Sequence, residues 1–139
     1  MATNAMKSQG VVFKYGDGGT PEVFANVGEV VSISGPGGSA QVIDATHLAS
    51  TAKEKIIGLP DEGQVTLEVN LVPGDAGQTQ LRNDRLSATR RNYKIVLTDT
   101  PATTLSFAAY CMGFTISSGV DSKVSASIQL EVTGAVTWA

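Results

Sequence analysis

Two side chains of this sequence are candidate centres of covalent or acid–base chemistry: its one histidine, His47, and its one cysteine, Cys111. Nucleophilic catalysis requires a nucleophile and a base within hydrogen-bond reach of each other. Cys111 stands between Tyr110 and Met112 in an apolar run, the setting of a buried, inert thiol and not of an open, electropositive one. Nothing in the sequence brings it to His47, whose nearest acidic neighbour is Asp44. The 12 serines include none in a G-x-S-x-G elbow. The stretch Gly35-Pro36-Gly37-Gly38-Ser39-Ala40 fits G-x-G-x-x-A, but a dinucleotide loop must open a helix. The next residues, Gln41-Val42-Ile43-Asp44, read as a strand, so the glycines predict a turn. One His and one Cys cannot build a structural zinc site, and Asp61-Glu62 read as a solvated turn. No catalytic, metal-ligating or cofactor-binding residue is assigned. The chain reads as a non-enzyme.

The elements around these residues are mainly strands. In Gln64-Val65-Thr66-Leu67-Glu68-Val69-Asn70-Leu71 the apolar residues take every second place, and the same alternation runs from Lys123 to Val132. It puts Val65, Leu67, Val69 and Leu71 on one face, with Val124, Ile128, Leu130 and Val132 as their counterparts. Further strands are expected over residues 10–15, 29–34, 41–45 and 93–98. Residues 104–117 form a long strand that is apolar on both faces, as a strand covered on both sides reads. One helix is expected over residues 75–89. Pro73-Gly74 breaks the strand before it, and Asp75 with Gln78 has capping-box spacing. Leu81 and Leu86 supply its narrow apolar face. Residues 49–63 read as a long loop holding Lys53-Glu54-Lys55 beside Ile56, Ile57 and Leu59, apolar residues that a free loop has no reason to expose.

Composition narrows the class. The chain has 139 residues, a formal charge of −3 and a 42% apolar content, enough for one domain with a real core. Its acidic balance argues against a grip on nucleic acid by bulk positive charge. No apolar run approaches a spanning helix and the start lacks a signal-peptide core, so a soluble cytoplasmic product is expected. Charged residues are only 17%, against about 25% in average domains. Residues 53–99 hold fourteen charges, while residues 101–139 hold only Asp121, Lys123 and Glu131. Such a surface either meets another protein or belongs to a neutral, Ser/Thr-rich sheet. The segment from Asp75 to Arg91 is locally basic, with Arg82, Arg85, Arg90 and Arg91 against Asp75 and Asp84.

Four short motifs occur in order: Ile43-Asp44-Ala45-Thr46, then Gly58-Leu59-Pro60-Asp61-Glu62-Gly63, then Asp75, Gln78 and Leu81, and finally Thr133-Gly134-Ala135-Val136-Thr137-Trp138. With the order of elements, they resemble the tail tube proteins of long-tailed bacteriophages, particularly lambda-like ones with non-contractile tails. The resemblance runs from about Val30 to Trp138. It implies a mainly β fold, a β-sandwich or rolled barrel with one flanking helix and a long inter-strand loop. It also implies a structural subunit of the virion tail, assembled in the host bacterial cytoplasm. Hexameric rings would stack around a tape-measure protein and meet terminator and distal tail or baseplate proteins, with DNA only in transit and no membrane binding. Residues 1–139 would be a single tube domain, with an N-terminal arm at 1–10 and no added immunoglobulin-like domain. The type VI secretion tube proteins share that implied fold, and a subunit of such a tube is an alternative reading. A monomeric sandwich-type binding module and a small cysteine hydrolase using Cys111 are the competing classes.

In such a tube each residue set has a role. Thr66, Glu68, Asn70, Ser125, Ser127, Gln129 and Glu131 would line a mildly acidic bore. Lys53, Glu54, Lys55, Ile56, Ile57 and Leu59 would order against an adjacent ring. Arg82, Arg85, Arg90 and Arg91 would place helix charges against an acidic neighbour. Inter-subunit burial is expected to be densest in residues 101–139.

Overall fold

In the computed structural model, which describes Met6 and residues 9–139, the chain runs through nine strands and one helix. These are β1 (Val12–Gly16), β2 (Phe24–Asn26), β3 (Val30–Ser34), β4 (Ser39–Asp44), β5 (Lys55–Asp61), β6 (Gln64–Asn70), α1 (Ala76–Ser87), β7 (Arg90–Val96), β8 (Thr104–Ser117) and β9 (Ser125–Trp138). Most of the expected N-terminal arm lies outside the described residues. Seven strands form one antiparallel sheet in the order β2-β1-β7-β8-β9-β6-β3, and β4 pairs with β5 in a separate ribbon.

That strand order dictates the shape. The two edges of the sheet, β2 and β3, are consecutive in the chain and separated only by residues 27–29. Seven flat strands would hold their edges roughly 29 Å apart at the usual strand spacing. Four residue steps reach at most about 14 Å. The sheet therefore curls until its edges nearly meet, and the concave side becomes the core. Phe13, Leu67, Tyr93, Phe107, Ile128 and Leu130, from five different strands, converge there. The edges are not hydrogen-bonded to each other, so the roll is open and not a closed barrel.

Helix α1 locks the crossing. The Asp75 carboxylate accepts from the Gln78 amide (3.0 Å), capping the helix, and from the Gly28 amide (3.2 Å). Gln78 is buried, and its Nε2 donates to the carbonyls of Gly28 and Asn70, each at 2.9 Å. Its Oε1 accepts from the Val72 amide at 2.9 Å. Gly77 lies so close to the crossing that a Cβ there would stand 2.8 Å from Val27 Cα. Gly77, Gln78, Leu81 and Asp84 are thus the buried face of the helix. Leu86, expected on that face, is exposed. Five residues beyond Leu81 it has rotated about 140° away.

Three further expectations are corrected. Residues 49–63 are loop only as far as Glu54, because Lys55–Asp61 is strand β5. Arg90 and Arg91 belong to β7, since the helix stops where Ala88 turns left-handed (φ 53°) and Thr89 N–H closes on the Asp84 carbonyl. Val124 precedes β9 and is exposed, and Ala126 takes the core position in its place.

Replacing Gln78 by Leu keeps the volume and strands three backbone groups. Leaving buried polar groups unpaired costs roughly 1–3 kcal/mol each, so Gln78→Leu is expected to lower stability by about 3 kcal/mol. In urea unfolding, the midpoint should fall with an unchanged slope.

Candidate assembly interface

The residues expected to line a bore share one face, and the register shows why. β6 and β9 pair with Thr66 opposite Gln129, Glu68 opposite Ser127, Asn70 opposite Ser125 and Gln64 opposite Glu131. Side chains alternate along a strand, so all of these leave the convex side, while Val65, Leu67, Val69, Ala126, Ile128 and Leu130 fill the core. The face is wider than the alternation in two strands could reveal. β3 adds Ser32 opposite Glu68 and Ser34 opposite Thr66. β8 adds Tyr110 opposite Glu131, Thr115 opposite Ser127 and Ser117 opposite Ser125. The signal that sequence reasoning missed is a bulge between Cys111 and Gly113, which shifts the alternation of β8. Glu68 and Glu131 are the only charges among these side chains.

The expected contact loop is a projecting β-ribbon. β4 and β5 pair Val42 with Ile57 and Ile43 with Ile56, so successive pairs present apolar side chains on both faces. Val42, Ile43, Ile56, Ile57 and Leu59 are all exposed, Leu59 to 92%. The motifs around the ribbon build its two ends. At the tip, Asp44 accepts from the Thr46 amide (2.9 Å), and hydrogen bonding by the Thr46 side chain and backbone lowers the pKa of that carboxyl. Thr46 Oγ1 crosses to the opposite strand, accepting from the Glu54 amide at 2.9 Å. His47 Nε2 stands 3.4 Å from Glu54, and Lys53 lies 4.0 Å from Asp44. At the base, Asp61 accepts from the Gly63 amide, and Gly63 adopts φ +73°. A Cβ on Gly38 would stand 1.5 Å from the Asp61 carbonyl oxygen, so the elbow tolerates no side chain there. His47 therefore stands at the ribbon tip, whereas Cys111 lies in the core of the roll.

The arginines separate. Arg91 pairs with the buried Asp84 and donates to the Gly16 carbonyl (2.7 Å), and its bonding to Asp84 raises its pKa. Its charge is used inside the subunit. Arg85 and Arg90 are exposed, Arg82 is half-buried, and Arg90 lies opposite Tyr110 on the convex sheet face. Among the described residues no His/Cys/Asp/Glu group could hold a metal ion, and no helix is long and apolar enough to cross a membrane.

The described residues form an open antiparallel roll with one clamping helix and a projecting ribbon, and comparison with known proteins identifies that fold. The model of the lambda phage tail tube protein family matches residues 8–139. The chain belongs to that family. It is a structural protein of the virion tail and not an enzyme. No curated protein sequence matches it significantly. Among solved structures it superimposes on a chain from the tail of an empty gene transfer agent particle, refined helically with C6 symmetry. There the TM-score is 0.76 at 11% identity, over 97% of this chain and 99% of the other. A chain of the sheath/tube terminator of the extracellular contractile injection system PVC gives 0.75 at 17% identity, over 100% and 99%. The SPP1 tail tube gives 0.71 at 15% identity, over 96% and 78%. At these identities the likeness is one of fold.

Burial pushes the Cys111 thiol up to about 11. At pH 8 roughly one molecule in a thousand would carry the reactive thiolate. Native protein is expected to resist a thiol-specific disulfide reagent at that pH, and urea-unfolded protein to react completely.

Proposed function

We propose that this subunit assembles with copies of itself into hexameric rings that stack as the tail tube, around a tape-measure protein, and that the tube later conducts DNA. The observation that carries this reading is the pairing of two features on one fold. One is a continuous polar face over β3, β6, β9 and β8 with two acidic charges. The other is a ribbon whose apolar side chains its own subunit leaves uncovered. The sixfold symmetry reported for the gene transfer agent tail supports the ring number.

In this arrangement the polar face lines the bore. A surface bearing Glu68 and Glu131 with hydroxyl and amide groups repels phosphate weakly and does not retain it, because binding the backbone requires Lys or Arg. The ribbon contacts the adjacent ring. Complete burial of Ile56, Ile57 or Leu59 contributes roughly 1.5–3 kcal/mol each, repeated around every ring. Arg82, Arg85 and Arg90 are the cations that meet acidic groups of a neighbour. Terminator and distal tail or baseplate proteins meet the two ends of the tube.

Ile56→Asp tests the reading because the side chain lies outside the core. The variant should keep the wild-type far-ultraviolet spectrum and melting temperature. Electron microscopy should show free subunits or single rings where wild-type protein gives tubes. Normal tubes from Ile56→Asp would remove the ribbon from the stacking contact.

A further inference from the structure

The ribbon needs a surface to seat on, and the subunit itself carries a matching one. At the end of the roll where β3 faces the ends of β1, β7, β8 and β9, the sheet leaves an open groove of about 790 Å³. Val31, Ile33, Leu97, Leu105 and Trp138 form much of its wall, and among the described residues no charged side chain lines it. Val31 is 57% exposed and Trp138 66% exposed, and clustered apolar exposure of this kind marks a contact surface. Such a wall offers no charge partner to a phosphate chain or a charged peptide. It fits a segment of backbone carrying only apolar side chains. In β5 the run Ile56-Ile57-Gly58-Leu59-Pro60 is such a segment, bounded by Lys55 and Asp61.

We infer that this groove receives the β4–β5 ribbon of a second copy of the chain. The proposal rests on the tube reading and names the acceptor for the ribbon. The ribbon's own base argues for a second copy. Gly35 and Pro36 form part of the groove rim, and the ribbon starts only three residues beyond Pro36, at Ser39. Its base is pinned by the Gly37–Gly63 bridge and by the close packing of Gly38 on the Asp61 backbone. To enter its own groove, the ribbon would have to double back across that pinned elbow. A ribbon on one part of the surface and a groove on another give a head-to-tail contact, which propagates from copy to copy and does not stop at a dimer.

Trp138 is the only tryptophan of the chain, so its emission reports the groove directly. Wild-type emission should move to shorter wavelength as tubes assemble, and Ile56→Asp protein should keep the long-wavelength emission of the free subunit. Two groove variants, Val31→Asp and Trp138→Asp, should each fail to form tubes while retaining wild-type melting. Mixing either one with Ile56→Asp leaves a single functional joint, intact ribbon into intact groove. Sedimentation should therefore show a finite particle of twice the mass of either variant alone.

Tubes formed normally by both groove variants would overturn the proposal while leaving the tube reading intact. So would the absence of the doubled particle in both mixtures, or an emission that stays put on assembly. Emission already at short wavelength in the free subunit, and reddened by removing residues 1–8, would give the groove to the chain's own start and would also overturn it. Failure of the wild-type protein to form tubes at all would count against the tube reading instead.

Discussion

The structure depends on one short crossing. Residues 27–29 join the two edges of a seven-stranded sheet, and a chain that short permits only a rolled sheet. Asp75 and Gln78 hold the crossing with hydrogen bonds to both backbone groups of Gly28, and Gln78 reaches on to Asn70 at the end of β6. One helix end thereby ties the crossing to the end of β6. Rolling then sorts every strand into a concave apolar side and a convex polar one. It also leaves an opening away from the helix, where none of the described residues forms a comparable closure.

This constraint gives the Asp75, Gln78 and Leu81 motif a physical meaning. Asp75 caps the helix and holds Gly28, the buried Gln78 side chain satisfies three backbone groups, and Leu81 fills the core. The other motifs work in the same way. Thr46 staples the ribbon tip, and Asp61 with Gly63 forms its elbow. Gly134 (φ +83°) lies where the β8–β9 register shifts, just before β9 ends at Trp138 on the groove. These residues fix the places where strands turn, cross or end.

Legibility in the sequence tracks burial. β6 and β9 are readable because each has one face in the core and one outside, so polarity alternates. β8 is readable to its terminal residues, although the cover expected on both its faces is incomplete within the subunit, where Tyr110, Met112 and Ile116 are exposed. The helix start is readable from Asp75, whose cap is local chemistry. β5 is not, because neither of its faces is buried within the subunit, and Gly58 and Pro60 look like breakers. A ribbon strand tolerates proline where no partner needs its N–H. The low charge of residues 101–139 suggests an interface when only composition is considered. Nine of the seventeen buried apolar residues come from β8 and β9, so much of that deficit belongs to the subunit's own core. The rest belongs to the hydroxyl-rich convex face, the one proposed to line the bore.

Function turns on which way that convex face points. A cryo-electron microscopy map of assembled tubes, at a resolution that separates strands, decides it with one measurement. β3, β6, β9 and β8 should form the innermost layer, with Glu68 and Glu131 on the channel and α1 outside it. A map with α1 or the β1–β7 side of the roll facing the channel would contradict the assignment of the bore.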